Sequence, residues 1–122
     1  MKPLLKKLRS LEIEDSLINY WPGIPDDFGS WIRVSVGPDD QEGAEYFDML
    51  ICTPKWLQKE LLKNSVILGR GTIIVDEYDY DKIVGFIEKE VAQCDADDWP
   101  GIAQKLSRIG FWEYEDYQPL LS

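Results

Sequence analysis

The sequence predicts a single α+β domain, a mainly antiparallel sheet of about four to five strands packed with three helices. Three observations predict it. Two alternating apolar runs flank a glycine-bounded turn, the pattern of a β-hairpin. Three later segments open on a capping residue and then repeat apolar side chains every three or four positions, the period of a helix. The chain has 122 residues, of which 44% are hydrophobic, enough for one core and a squeeze for two independent ones.

The elements follow in chain order. Leu4, Leu8 and Leu11 fit helical spacing, but the run is short, and an edge strand is expected there. Pro22, Gly23, Pro25 and Gly29 mark a loop, whose Tyr20, Trp21 and Phe28 are expected to lie over the core. Ile32, Val34 and Val36 alternate with Arg33 and Ser35, as in a half-buried strand. After the polar turn Gly37–Gly43, Phe47, Met49 and Ile51 alternate with Asp48, Leu50 and Cys52. Both faces of the later half are apolar, which predicts a central position in the sheet.

Thr53 can cap a helix and Pro54 suits its first position, where a missing N–H costs nothing. Leu57 and Leu61 stand four apart with Trp56 beside them, and Lys55, Lys59 and Lys63 turn to water. This helix is expected to end near Asn64 and to join Met49 and Ile51 in the core. Gly69 and Gly71 bracket a turn, and Thr72–Val75 is a β-branched strand. Asp79 or Asp81 caps a second helix with Ile83, Phe86, Ile87, Val91 and Cys94 on its inner face. Asp97 or Asp98 caps a third, with Trp99, Ile102, Ala103, Leu106 and Ile109 apolar, and Gly110 stops it. Residues 111–117 alternate aromatic and acidic side chains and predict a last strand, with Trp112, Tyr114 and Asp116 opposed to Glu113, Glu115 and Tyr117.

Composition excludes several functions. The chain has no histidine, so Ser-His-Asp triads, Cys-His pairs and His-ligated zinc cannot come from it alone. Cys52 and Cys94 stand apart without metal-ligand companions and read as buried, reduced thiols. No apolar run approaches the ~20 residues of a membrane helix, and no signal-peptide core follows the basic N-terminus; a cytoplasmic protein is expected. Thirteen bases against twenty-three acids leave a net charge of −10. Such a surface repels nucleic acid and anionic membranes and suits a basic protein partner. Residues 71–122 hold four bases and twelve acids, so the surplus is concentrated late in the chain.

The densest acidic run is Asp76, Glu77, Tyr78, Asp79, Tyr80 and Asp81. Three readings compete. As a divalent-metal loop it resembles an EF-hand only superficially, because Ile83 stands where the third ligand belongs and the turn glycine is missing. Acids at a helix N-terminus meet the dipole favourably, so the run can be a solvated strand-to-helix junction; with its tyrosines it can equally be a recognition patch. Glu113, Tyr114 and Glu115 form a second acidic–aromatic stretch. If the last strand lay beside the 72–78 strand, the two stretches would join into one face.

The turn with Gly37, Pro38 and Gly43, then Phe47 and Asp48, then Cys52-Thr53-Pro54-Lys55-Trp56-Leu57, resembles the immunity protein 8 family of bacterial polymorphic toxin systems. Gly69-Arg70, Glu77-Tyr78-Asp79, Asp98-Trp99, Trp112-Glu113 and Glu115-Asp116-Tyr117 extend the resemblance over roughly residues 4–117. It implies a small α+β protein that protects its producer by binding and neutralising a cognate toxin domain, stoichiometrically and without catalysis. It carries no catalytic residues, and no metal or cofactor is expected. Many antibacterial toxins are nucleases with basic clefts, which an acidic surface can occupy. The expected contacts are therefore Asp76, Glu77, Tyr78, Asp79, Tyr80, Asp81, Glu113, Tyr114 and Glu115. The competing classes are an acidic adaptor or regulatory domain and a small carboxylate-dependent hydrolase.

Overall fold

A computed structural model describes residues 1–116. Its elements are β1 (Pro3–Ser10), β2 (Gly29–Pro38), β3 (Glu45–Cys52), α1 (Pro54–Asn64), β4 (Thr72–Ile74), α2 (Tyr80–Ala92), α3 (Trp99–Leu106) and β5 (Phe111–Trp112). The class is α+β, with a mixed five-stranded sheet ordered β1-β2-β3-β4. β1 to β3 are antiparallel neighbours, β4 runs parallel to β3, and β5 pairs antiparallel with it. Glu45–Cys52 of β3 is therefore the central strand, as its two apolar faces predict. β2 takes one whole edge of it. The other edge is shared end to end by β5 at Phe47 and Asp48 and by β4 at Leu50 to Cys52.

The β2–β3 register sets the two faces of the sheet. Ile32 lies opposite Met49 and Val34 opposite Phe47, and all four are buried at 2% exposure or less. This face packs against Ile83, Ile87 and Val91 of α2 and Ile102, Ala103 and Leu106 of α3. Fully burying one such aliphatic chain stabilises by roughly 1.5–3 kcal/mol. The opposite face carries Trp31, Arg33 and Asp48, the last two joined by a bidentate ion pair at 2.8 and 2.9 Å.

Capping falls where the residue types demand. Thr53, Asp79 and Asp98 open the three helices, each side chain accepting a backbone N–H of the first turn. Cys52 and Cys94 are buried free thiols. Glu45 accepts the indole N–H of both Trp99 and Trp112, tying α3 and β5 to the start of β3.

Four expectations are corrected. Leu57 and Leu61 do not join the core: α1 has no buried residue, and Leu61 is 40% exposed. The helix lies over the other face of the sheet, where the Trp56 ring occupies the space beside Gly29; a Cβ at Gly29 would come within 2.2 Å of that ring. Phe86 is 48% exposed, because it is displaced from the Ile83–Ile87–Val91 stripe that meets the sheet. Trp21 is 67% exposed rather than over the core, whereas Phe28 is buried. The last strand ends at Trp112. Residues 113–116 turn away, Glu115 N–H donating to the Trp112 carbonyl and Asp116 adopting φ 59°; Tyr117 lies outside the described residues.

Candidate partner-binding surface

The acidic run 76–81 is the joint between β4 and α2. Val75 N–H donates to the Cys52 carbonyl at 2.9 Å as the chain leaves the sheet, and Tyr78 N–H donates to the Pro25 carbonyl at 2.7 Å. Asp76 accepts the Glu77 N–H and pairs with Lys82 at 3.3 Å; that ammonium and hydrogen bond hold its carboxyl below the ordinary range. Asp79 accepts the Lys82 N–H as the cap of α2. Among the described residues no cation pairs with Glu77, Asp79 or Asp81.

Tyr78 has a different part from its acidic neighbours. It is 3% exposed, so it cannot be the surface contact expected from its sequence neighbourhood. The segment from Leu17 to Phe28 lies across it, and its hydroxyl donates to the Leu17 carbonyl. Its ring meets Phe28 at a centroid distance of 4.8 Å, Tyr20 at 5.6 Å and Trp21 at 6.1 Å, all edge-on or steeply inclined. Burial pushes its pKa up to about 12. Tyr78 is thus a rigid base on which Trp21 stands, and Tyr80 is half-buried beside it.

That arrangement builds a cleft of about 310 Å³, lined by Ile18, Tyr20, Trp21, Glu77, Asp79, Tyr80 and Asp81 with Tyr78 at its floor. Ile18 and Trp21 are 64% and 67% exposed. Neither was marked by sequence reasoning as a contact. They lie in an aperiodic loop, where spacing carries no information about facing. The one available signal was a tryptophan among turn residues.

Glu113, Tyr114 and Glu115 form a separate patch. Glu113 N–H donates to the Tyr46 carbonyl at 3.0 Å, and its carboxylate accepts the Tyr46 N–H at 2.7 Å. Tyr114 is 43% exposed and meets Trp112 edge-on. Glu115 forms a two-point ion pair with Arg70, which lowers the pKa of its carboxyl and places the guanidinium 4.3 Å above the Phe111 ring. The two acidic stretches do not join into one face. Both border β3, but at opposite ends: Glu113 pairs at Tyr46 and Val75 at Cys52, about 20 Å apart at ~3.3 Å per residue.

The structure offers no catalytic constellation among the described residues. Both thiols are raised in pKa by burial, the state of an unreactive cysteine. Among the described residues, no group of three or more Cys, Asp or Glu side chains is disposed to hold a metal ion. A hollow of about 590 Å³ is the inside of a single bend, residues 8–17, and brings no second element to its contents. No helix among the described residues is long and apolar enough to cross a membrane.

Comparison with known proteins matches the chain to a family. The family model described as Immunity protein 8 covers residues 6–117, nearly the whole chain. No curated protein and no solved structure matches.

Proposed function

The chain belongs to the Immunity protein 8 family, and on that premise we propose that it neutralises a cognate toxin domain by stoichiometric, non-catalytic binding in the cytoplasm. The toxin domain is basic and nuclease-like, and it docks on Glu77, Asp79, Tyr80 and Asp81 together with Ile18 and Trp21, whereas Asp76 is held by Lys82 outside the cleft. The carrying observation is the cleft itself, where an exposed tryptophan, held edge-on by a buried tyrosine, stands beside carboxylates with no ion-pair partner among the described residues. Tryptophan and tyrosine supply contact area at low entropic cost. Unpaired acids on a chain of net charge −10 accelerate encounter with a basic partner, toward the 10⁸–10⁹ M⁻¹s⁻¹ of steered association at low salt. Glu113 and Tyr114 are excluded from this surface by distance, and Glu115 by its pairing with Arg70.

The test is co-expression with the toxin domain encoded beside this gene. A one-to-one complex by light scattering and loss of toxin activity are expected. Glu77→Lys with Asp81→Lys should slow association and flatten its salt dependence. Absence of a complex would sink the reading, and capture of unrelated basic proteins instead would favour an adaptor.

A further inference from the structure

The strongest unexplained feature is the outer end of α1. Leu62, Val66 and Leu68 are 84%, 83% and 83% exposed. Three aliphatic chains so bare within seven residues concentrate apolar surface that a partner can cover. α1 adds to the anomaly. Its 11 residues include no buried side chain, and a helix of that length is marginal without tertiary packing. It is held at its start by Thr53 and Trp56, and along one side by the Lys55–Asp26 and Lys59–Asp27 ion pairs to the 22–28 loop.

Those ion pairs connect α1 to the cleft. A hollow of about 350 Å³ lies between Ile24 and Leu62, with Lys55 and Lys59 at its rim. A second, of about 370 Å³, runs from Ile24 back to Tyr20 and shares that tyrosine with the acidic cleft. The surface is therefore continuous from Trp21 through Ile24, itself 58% exposed, to Leu62. Size points the same way. Eight residues line the cleft, whereas a stable protein interface engages roughly 20–30 residues a side.

We propose that the toxin domain covers this whole surface, so that the interface continues from the acidic cleft across Ile24 onto Leu62, Val66 and Leu68, where it meets an apolar patch of the toxin. This rests on the reading of the chain as a toxin-binding protein. The two halves have separate kinetic roles. Long-range charge attraction acts before contact and sets the association rate, while desolvated apolar contact acts only afterwards and sets the dissociation rate.

The experiment measures both rates for the full chain against the toxin domain encoded beside it, at two salt concentrations. Leu62→Ser with Val66→Ser keeps the charge unchanged and removes only bare side chains, so its melt should coincide with that of the original protein. Dissociation about tenfold faster or more, with association and its salt dependence unchanged, is the expected result. Glu77→Lys with Asp81→Lys should give the converse, slower association. Unchanged dissociation in the serine variant overturns the inference and leaves the proposed function standing. So does a homodimer that the serine variant breaks without altering either toxin rate, since the patch would then serve a second copy of the chain. If the original protein fails to bind the toxin domain at all, the functional reading falls and the inference with it.

Discussion

α1 and α2 are helices of 11 and 13 residues, each opened by a capping side chain and each with a stripe of aliphatic residues. α2 buries Ile83, Ile87 and Val91 between the sheet and α3. α1 buries no side chain fully and leaves Leu61 and Leu62 in solvent. The difference lies in what stands opposite. β2 and β3 present Ile32, Val34, Phe47 and Met49 to the α2 side, whereas the other face, which carries Leu50 and Cys52 beside Arg33 and Asp48, receives from α1 the Trp56 ring beside Gly29. An apolar stripe on a helix is thus ambiguous: one has found its partner within the chain, and the other is available to a partner outside it.

The sharpest way to break the comparison is to truncate each stripe. Ile87→Ala, at a position with 0% exposure, should cost about 2–5 kcal/mol in a denaturant titration. A loss below half a kcal/mol would remove the distinction between the helices.

The second effect belongs to the loop that roofs the core near the start of α2. Tyr78 has its pKa pushed up to about 12 from an ordinary 10, so the folded state holds its proton where the unfolded state releases it. The Tyr78 contribution is then constant below pH 10 and falls as the pH rises from about 10 to about 12, by on the order of 2 kcal/mol. Tyr78→Phe should abolish that share of the alkaline loss while weakening the protein at neutral pH by about 1 kcal/mol, because the Leu17 carbonyl loses its donor.

The third asks what holds α1, if not its face. Thr53 is fully buried; its hydroxyl oxygen accepts the Phe28 N–H at 3.0 Å and the Trp56 N–H at 3.4 Å. Thr53→Ala should cost about 1–2 kcal/mol by thermal or chemical melt. The smallest effects belong to the stripe itself. Leu57→Ala, at a half-buried position, should cost less than about 1 kcal/mol, and Leu62→Ala should stay within about half a kcal/mol of the original. A larger loss at Leu62 would mean that α1 packs against the protein after all. Glu115 sharpens the contrast with the cleft acids: Arg70 holds its pKa down, so its contribution is present at neutral pH and lost on acidification through that lowered value. The melt of an Arg70→Gln variant should show less acid sensitivity in that range.

The sequence by itself determined what depends on near neighbours along the chain. The cap at Thr53, the glycine-bounded hairpin turn and the inward alternation of Ile32, Val34, Phe47 and Met49 are all local consequences of side-chain chemistry or of the two backbone periods, which also narrowed the other caps to Asp79 or Asp81 and Asp97 or Asp98 before the structure chose Asp79 and Asp98. The central place of β3 was legible too, since only a strand covered on both faces tolerates Leu50 and Cys52 beside Met49 and Ile51. Only the tertiary structure decided the rest. It turned Tyr78 inward from the midst of four acids by laying residues 17–28 over it, and it brought Ile18 and Trp21 to Glu77 and Asp81 across nearly 60 residues of chain. It also seated the two acidic stretches at opposite ends of one strand. Periodicity names the face that a side chain shares with its neighbours; what lies opposite that face depends on contacts between distant segments, which no local pattern encodes.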